Sequence, residues 1–314
     1  MSDHVLGVDL GGSNVRAMLA DRAGRPVADT VARTVDGNAE ALLAHIADLS
    51  RRLARGAEVD WSRIAAMGVG VPGAVHPDGR GLRLAPNLPP FLDLDVASTL
   101  GRELGVPVAV DNDVNAATLA EQRRGLGVGV EDFVFIAVGT GIGMGIVASG
   151  SLQRGAAGAA GEIAFLPLGM DPFDPGHQVN GPLEEAAGGV GVARRYAELA
   201  GTAVSAQEVY RRAAAGDGDA RAVLDRQARA IALAVVSAQS MLDPALVVFG
   251  GGIGSREDVV TRIRAHVACL TPRAPRIEVS RLGERAGLIG AAELARAHVD
   301  GRAPHGDGST GRRP

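Results

Sequence analysis

The sequence contains no lysine, and all 32 of its positively charged residues are arginine. This absence excludes Schiff-base enzymes, nucleotide hydrolases that hold phosphate through a P-loop lysine, and protein kinases, which need a lysine in their third strand. Cysteine is almost absent as well, because Cys269 is the only one. A single cysteine excludes a disulfide framework and any zinc site built from several cysteines.

Long hydrophobic runs are also missing. The longest apolar stretch, at 230–236, is far shorter than the ~20 residues of a membrane-spanning helix. Asp3 and Asp9 interrupt what would have to be the apolar core of a signal peptide. The net charge of −4 does not indicate a nucleic acid or an anionic membrane as a partner. We therefore expect a cytoplasmic protein that acts on a small molecule.

The chain has 314 residues, of which 46% are apolar, enough for one large domain or two medium ones. Each half begins with a strand and a glycine-rich turn, at 5–8 and 11–13 and again at 133–138 and 139–143, and each then continues as a second strand. This repetition indicates an internal duplication, and the mixture of strands and helices indicates an α/β protein. A cleft between the two halves is the expected place for ligands.

The spacing of apolar residues predicts several helices. One runs from Asn38 to about Arg55, another lies near 183–199, and a long one covers 219–242. From about Asp300 the chain is polar and rich in glycine and proline, so residues 300–314 are expected to form a disordered tail.

Three glycine-rich turns follow apolar strands, at 11–13, 139–143 and 250–254. Glycine lets backbone N–H groups approach an anion closely, and successive N–H groups can hold a phosphate without a lysine. Asp9, just before the first turn, could hold a magnesium ion directly or through water. Any one of these turns would equally suit a plain hairpin. The first is not a dinucleotide-binding fingerprint, because a strand and not a helix follows it.

Acidic residues at the starts of predicted helices form the other candidate chemistry. Asn112 and Asp113 place an amide and a carboxylate at one strand-to-helix junction, where a carboxylate can take the proton of a hydroxyl that attacks phosphorus. The alternative is that the acid simply caps the helix. Glu162 and the pair Glu184 and Glu185 could bind several hydroxyls of a polyol, or could be solvated acids favoured by a helix dipole.

Six ordered segments together resemble the ROK family (repressors, uncharacterised reading frames and sugar kinases), close to its bacterial glucokinases. The resemblance runs from about Leu6 to Leu294. Residues 8–16 resemble the family's first phosphate motif, and residues 138–143 resemble its second. Residues 70–73 and 86–89 resemble its two sugar-side loops. Residues 110–117 resemble the catalytic-aspartate segment, and residues 249–254 resemble the adenosine loop.

The resemblance implies a duplicated actin/hexokinase/RNase H-like fold. Its small lobe would comprise 1–111 plus about 286–299, and its large lobe 112–285. Relatives are usually homodimers, so the resemblance also implies a homodimer. Cleft closure over ATP and sugar would exclude water.

The resemblance also implies a role for each residue that matches a family motif. Asp113 would be the general base on the sugar 6-hydroxyl, and Asp9 would help to position magnesium. The sugar would be bound by Gly73, Asn87, Asn112, Asp113, Glu162 and Glu184. The phosphates and nucleotide of ATP would be bound by Gly11, Gly12, Ser13, Gly139, Thr140, Gly141, Gly251 and Gly252.

One departure from the family is large. Phe165 stands where family members usually carry a zinc-binding histidine that also touches the sugar near C1 and C2. The family's three zinc cysteines would fall near Pro175, His177 and Pro182, and a lone histidine cannot hold a structural zinc, so we expect no zinc. We expect the segment 165–181 to replace the zinc loop by rigid packing. The ring favours a less polar or differently substituted edge of the acceptor.

The resemblance implies an ATP-dependent hexose 6-kinase, with glucose as acceptor because glucose is the most frequent acceptor in the family. An alternative acceptor is kanosamine, another amino sugar or a C7 cyclitol, and polyphosphate could replace ATP as donor. A sugar-sensing regulator would need a DNA-binding segment before the first phosphate motif, and Asp9 lies too close to the start for one. An actin-like ATPase would not need the sugar-binding set.

Overall fold

The computed structural model of the protein describes residues 3–35, 37–75, 82–83 and 95–301. Asn87, its neighbours at 86–89 and the predicted tail beyond Gly301 lie outside the described residues. The chain divides into two compact units. Unit 1 comprises Met1–Ala120, Gly155–Ala159 and Gly287–Pro314, and unit 2 comprises Glu121–Arg154 and Ala160–Ala286.

The described part of unit 1 is built on a five-stranded sheet with the order β3-β2-β1-β4-β7. The strand β1 pairs antiparallel with β2 and parallel with β4, and β4 pairs parallel with β7. A two-stranded hairpin, β5 with β6, follows β4. The strands of unit 1 are β1 (His4–Leu10), β2 (Asn14–Asp21), β3 (Pro26–Arg33), β4 (Ile64–Val71), β5 (Ala74–Val75), β6 (Leu82–Arg83) and β7 (Val108–Asn112).

The described part of unit 2 repeats this arrangement in a second five-stranded sheet with the order β10-β9-β8-β11-β12. Two antiparallel pairings are again followed by two parallel ones. The predicted internal duplication is therefore present in the sheet topology. The strands are β8 (Phe133–Val138), β9 (Ile142–Ala148), β10 (Ser151–Gln153), β11 (Leu246–Gly250) and β12 (Arg276–Val279).

Helices connect the strands of both sheets. The α-helices are α1 (Ala39–Gly56), α2 (Val96–Leu104), α3 (Asp113–Arg124), α4 (Pro175–Gln178), α5 (Pro182–Ala187), α6 (Gly189–Ala200), α7 (Ala206–Ala214), α8 (Gly218–Leu242), α9 (Gly251–Gly254), α10 (Glu257–Leu270) and α11 (Ala286–Val299). Short 3-10 helices lie at Trp61–Arg63, Ile163–Phe165 and Gly283–Arg285. No helix within the described ranges is long and apolar enough to cross a membrane.

Local sequence signals explain where the long helices begin. The side chain of Asn38 accepts a hydrogen bond from Ala41 N at the start of α1, and Asp217 does the same with Ala220 N for α8. Both helices bury an apolar face, and Asp243 ends α8 in the left-handed conformation with φ 45°. These two helix predictions are confirmed.

The predicted single helix near 183–199 is wrong. The chain forms α5 and α6 instead, with Gly188 extended between them at φ −69° and ψ 155°. A Cβ on Gly188 would lie 2.7 Å from the carbonyl oxygen of Thr140. The apolar spacing of the segment is helical, but its glycines bring the backbone against another loop and interrupt the helix there.

Glycines also let α11 pack directly on the backbone of unit 1. A Cβ on Gly68 would overlap the carbonyl oxygen of Ala291, and a Cβ on Gly290 would overlap that of Ala116 in α3. Gly7 in β1 faces the same helix, where its Cβ would lie 2.6 Å from the nitrogen of Ala292. These close approaches hold α3 and α11 tightly in unit 1, and α3 begins at the candidate base Asp113.

Candidate active site

The junction of β7 and α3 carries Asp113, and its capping group is Asn112. The Oδ1 atom of Asn112 accepts the backbone N–H groups of Val114 at 2.9 Å and Asn115 at 3.0 Å. Asp113 is the first residue of the helix itself, half-buried, and its Oδ1 accepts the N–H of Val114 at 2.8 Å. Asn112 therefore provides the helix cap, and Asp113 adds a hydrogen bond within the first turn.

Asn112 also ties a second loop to this junction. Its Nδ2 donates to the carbonyl oxygen of Gly73 at 3.0 Å, and Gly73 itself has a left-handed φ of 92°. Asn112 is buried. Within the described residues, its side-chain oxygen accepts hydrogen bonds from the helix start and its amide nitrogen donates one hydrogen bond to the Gly73 loop. The second amide hydrogen is what its chemistry leaves for a ligand.

Strand register places Asp9 in the same row of the sheet as this junction. Asp9 pairs with Gly70 in β4, and Gly70 pairs with Asp111 in β7. Burial raises the pKa of the Asp9 carboxyl, and the Arg16 guanidinium, 3.7 Å from its Oδ2, opposes that rise. A Cβ on Gly287 would lie 3.2 Å from the carboxyl, so glycine makes room for it.

These properties of Asp9 fit a magnesium ion. Magnesium is commonly held by one or two carboxylates, several waters and substrate phosphates, and a half-buried carboxylate whose pKa is raised by burial gains from a cation beside it. Among the described residues there is no group of three or more histidine, cysteine or acidic side chains that could hold a metal without such help. Among the described residues, Asp9 is the carboxylate that could hold such an ion.

The turn at Gly11, Gly12 and Ser13 is closed from both sides. Gly11 N donates to the carbonyl of Asn14 at 2.9 Å, and the hydroxyl of Thr34 in the chain after β3 donates to the carbonyl of Gly11 at 2.7 Å. A Cβ on Gly12 would meet nothing within 4 Å, and its φ is not left-handed. Neither packing nor backbone conformation in unit 1 explains this glycine, whereas a ligand close to the backbone would.

Two glycine loops of unit 2 lie side by side. A Cβ on Gly139 would meet only the nitrogen of Gly252, 4.0 Å away, and a Cβ on Gly252 would meet nothing within 4 Å. Gly251 is different, because its φ is 80° and its Cβ would lie 2.6 Å from the carbonyl of Val138. Thr140 is exposed at the same place. Gly251 therefore shapes the fold, while Gly139 and Gly252 leave an open backbone surface.

The start of α6 joins these loops and was not singled out from the sequence. Gly189 N donates to the carbonyl of Gly139 at 2.9 Å, and Val190 N donates to that of Thr140 at 3.4 Å. The run of glycines inside the helix predicted at 183–199 was the sequence signal for this contact, and apolar spacing alone does not take such glycines into account. Thr34, which closes the first turn, had no local sequence signal.

Glu162 and Glu184 form an acidic pair in unit 2. Glu184 Oε2 accepts the N–H of Ile142 at 3.1 Å, and Gly141 leaves room for its carboxyl. Burial raises the pKa of Glu162, and the charge of Glu184 adds to the rise. Burial also raises the pKa of Glu184, the Ile142 N–H opposes it, and the charge of Glu185 adds to it. Two half-buried carboxyls that influence each other electrostatically can both accept hydrogen bonds from the hydroxyls of a ligand.

Glu185, the neighbour of Glu184, is structural. Its side chain is buried, its Oε2 lies 2.6 Å from Arg194 Nη2, and Asn180 Nδ2 donates to its Oε1 at 2.8 Å. Of the two adjacent glutamates, only Glu184 is left for a ligand.

The segment after Glu162 corresponds in sequence to the zinc loop of other family members. Leu166, Leu168 and Met170 pack against the core of unit 2, while Phe173 is 86% exposed. His177 Nδ1 lies 2.9 Å from the carbonyl oxygen of Asp171. The predicted rigid packing thus describes the first part of the segment and not its tip. Phe165 is 43% exposed and does not fill the core.

Comparison with known proteins decides the family. Residues 5–298 match the sequence profile of the ROK family. The chain belongs to the ROK family.

The chain is similar to several curated proteins, two of which are named as sugar kinases. The chain is 35% identical to the bifunctional enzyme NanE/NanK of Brucella suis over 94% of its own length and 53% of that protein, so it spans about half of that relative. It is 31% identical to a glucokinase of Halalkalibacterium halodurans, covering 94% of the chain and 96% of the relative. It is 32% identical to an N-acetylmannosamine kinase of Escherichia coli, covering 94% and 99%.

Solved ROK structures share the fold. A ROK hexokinase from Thermus thermophilus aligns with a TM-score of 0.82 and 32% identity over 95% of this chain and 99% of that one. A ROK glucokinase from Streptomyces griseus, in complex with glucose and AMPPNP, aligns with a TM-score of 0.79 and 27% identity over 93% and 99%. The predicted actin/hexokinase-like α/β fold and the predicted membership of the ROK family are confirmed.

Proposed function

We propose that this ROK protein is an ATP-dependent kinase that phosphorylates the 6-hydroxyl of a hexose, with glucose as the acceptor. The observation that carries the proposal is the junction at Asp113. Asn112 accepts the N–H groups of Val114 and Asn115 there, and the half-buried carboxylate of Asp113 stands at the first position of the helix. The glucokinase relative and the S. griseus structure with glucose and AMPPNP support the choice of substrates.

Asp113 is the general base in this proposal. Its carboxylate takes the proton of the 6-hydroxyl as that oxygen attacks the γ-phosphorus of ATP. The new oxygen–phosphorus bond forms while the bond from the γ-phosphorus to the β-γ bridging oxygen breaks, and ADP leaves with the electron pair. The products are a hexose 6-phosphate, ADP and a proton on Asp113.

Unit 2 supplies carboxyls for the other sugar hydroxyls. Glu162 and Glu184 are half-buried and lie close enough for the charge of Glu184 to raise the pKa of Glu162. A hydroxyl-rich ligand donating to both would favour their charged forms, because hydrogen bonds to a carboxylate stabilise it. Unit 1 supplies Gly73, Asn112 and the sugar-side loop with Asn87.

The nucleotide is held without lysine. In the proposal the open backbone at Gly12, Gly139 and Gly252, with the hydroxyls of Ser13 and Thr140, donates hydrogen bonds to the phosphates. Gly11, Gly141 and Gly251 shape these loops. A magnesium ion held through Asp9 would supply charge neutralisation on the phosphates.

A second acceptor class has its own observation. Phe165 is exposed and follows Glu162 by three residues, so its ring is available to a ligand and does not serve as core packing. An apolar ring beside the acceptor would favour an amino sugar such as kanosamine, an N-acetylated hexosamine or a C7 cyclitol over a plain hexose. The N-acetylmannosamine kinase relative supports this alternative.

An acceptor panel tests the proposal. ADP release would be measured with magnesium-ATP and glucose, mannose, glucosamine, N-acetylhexosamines, kanosamine or a C7 cyclitol, and phosphate transfer from polyphosphate would be measured separately. Turnover with glucose supports the first proposal, and turnover with one modified acceptor alone replaces it with the second. If no acceptor is turned over but sugars still bind, the protein is a non-catalytic sugar-sensing regulator.

We also propose the two-lobe division at 111 and 286 and a homodimer as the solution state. Sedimentation velocity over a concentration series measures the oligomeric state, and a monomer at every concentration would contradict the second part.

A further inference from the structure

Unit 2 contains a cavity of about 660 Å³ to which the proposed reaction assigns no role. It is lined by α6, by one face of α8, by Ala186 of α5 and by Gly169 and Met170. None of the described residues assigned above to sugar, nucleotide or magnesium lines it. Its volume is in the range of pockets that hold small organic ligands.

Arginines dominate the charge of this cavity. Arg195, Arg226 and Arg229 line it together with one acid, Glu198, which leaves a surplus of two positive charges. Glu198 also forms an ion pair with Arg194, with a distance of 3.6 Å between Glu198 Oε1 and Arg194 Nε. A surplus of positive charge inside a cavity with partly apolar walls indicates an anionic ligand.

Arg195 is the most buried of the three arginines. Only 9% of it is exposed, and it donates through its terminal nitrogens to the carbonyl oxygens of Glu185 and Ala186. Its Nε is buried and has no hydrogen-bond partner within the described residues. Burial and the charges of Arg194 and Arg226 lower the pKa of Arg195 to about 10, so it stays charged at neutral pH. An anion nearby would relieve both the crowding of positive charges and the burial cost.

Arg226 and Arg229 are exposed at the mouth of the cavity. Across the described ranges, neither guanidinium group takes part in a hydrogen bond or an ion pair. They lie three residues apart on α8, where side chains share one face, and Leu233 follows on that face one turn later. Two guanidinium groups so placed can bind the oxygens of one phosphate.

We propose that this cavity binds an organic phosphate monoester. Arg226 and Arg229 bind the phosphate with Arg195 behind them, and the organic part packs on Leu199 and Leu233. A phosphate dianion balances the surplus of two charges, whereas a carboxylate leaves one unbalanced. The apolar walls and the volume exceed what inorganic phosphate needs.

Isothermal titration calorimetry with phenyl phosphate tests the site without using turnover. Benzoate and inorganic phosphate are the matched probes, since one lacks the second charge and the other lacks the organic part. Glucose 6-phosphate and AMP, each tested as a competitor of phenyl phosphate, distinguish a sugar phosphate from a nucleotide as the source. The variants are Arg226→Gln/Arg229→Gln and, as a control with the same charge change on exposed arginines elsewhere in unit 2, Arg123→Gln/Arg273→Gln.

We expect saturable binding of phenyl phosphate to the wild type, weaker binding of both matched probes, and a loss of at least about tenfold in affinity in the Arg226/Arg229 variant alone. Equal affinity in both double variants, or no saturable binding to the wild type, overturns the proposal. Sedimentation velocity on the same samples adds a further outcome. If the wild type is a dimer that does not bind phenyl phosphate, and the Arg226/Arg229 variant is a monomer, the cavity is a contact between copies and not a ligand site.

Discussion

The side-chain amide of Asn112 donates a hydrogen bond to the backbone carbonyl of Gly73, with an Nδ2···O distance of 3.0 Å. The same side chain caps α3 through its oxygen. One residue thus holds both the helix that begins at Asp113 and the loop that follows β4. Its two functions can be separated by substitution.

Serine and alanine at position 112 separate them. Asn112→Ser keeps a capping oxygen but cannot reach Gly73, whereas Asn112→Ala loses both interactions. We expect Asn112→Ala to lower the free energy of unfolding by about 1 kcal/mol more than Asn112→Ser does. Both variants should raise the KM for the acceptor, because both remove the Asn112 amide proposed to bind it and both release the Gly73 loop. Urea unfolding and acceptor kinetics measure the two effects, and a normal acceptor KM in Asn112→Ser would show that the tie to Gly73 is dispensable.

Replacing the proposed base should affect turnover and not binding. We expect Asp113→Asn to lower kcat by about 10² to 10⁴-fold, while the dissociation constant of the acceptor changes little. Asp95→Asn is the matched control, because Asp95 caps α2 of the same unit through Ser98 N at 2.9 Å and asparagine caps equally well. Stopped-flow turnover and calorimetry measure both quantities. If the two variants behave alike, Asp113 is only a helix-start acid.

The acidic pair of unit 2 should make stability fall as pH rises. Burial raises the pKa of Glu162 and of Glu184, so the folded chain holds these protons more tightly than the unfolded chain does. The folded state is therefore penalised increasingly from about pH 4.3, the ordinary glutamate value, and the penalty is complete above the raised pKa values.

Glu184→Gln and Glu162→Gln test this sign. Relative to wild type, each variant should gain free energy of unfolding as pH increases over that window, because glutamine cannot ionise. Urea unfolding between pH 4 and pH 8 without ligand gives the difference, with the exposed Glu131→Gln as control. If the difference in free energy of unfolding between variant and wild type does not change with pH, ionisation of these carboxyls does not destabilise the folded state.

Adjacent glycines of the adenosine loop at 249–254 should separate folding from ligand binding. Gly251 has a φ of 80° and a Cβ position 2.6 Å from Val138 O, so Gly251→Ala should cost about 1–3 kcal/mol of stability. Gly252→Ala meets nothing within 4 Å and should change stability by less than about 0.5 kcal/mol, while raising the KM for ATP. Urea unfolding and ATP kinetics measure the pair. An unchanged KM for ATP in Gly252→Ala would place the nucleotide elsewhere.

Treatment with a zinc chelator should leave the fold intact. The segment after Glu162 is anchored by apolar contacts, by the contact of His177 Nδ1 with Asp171 O at 2.9 Å and by Asp174, whose carboxylate accepts Gly176 N at 2.8 Å. We expect the same melting temperature before and after dialysis against a strong zinc chelator, with magnesium resupplied. A large decrease that zinc reverses would reveal a metal site.

The comparison of Glu184 with Glu185 shows where prediction from sequence ends. Both acids stand at the start of one helix, and nothing in their spacing distinguishes them. Glu185 is buried against Arg194, whereas Glu184 contacts Ile142 N and is left half-buried, because residues far apart in the chain surround them differently.

The sequence by itself determined the family, the duplicated α/β architecture and most element positions. The family follows from the resemblance of six ordered motifs, and the architecture and element positions follow from glycine turns, helix caps and apolar spacing, which act over a few residues. Only the tertiary structure decided that Asn112 ties Gly73 to the helix start, that glycines break the helix at Gly188, and that Arg195, Arg226 and Arg229 line one cavity. Those relationships depend on which segments, far apart in the chain, approach each other in the fold. Local sequence propensities do not determine these approaches.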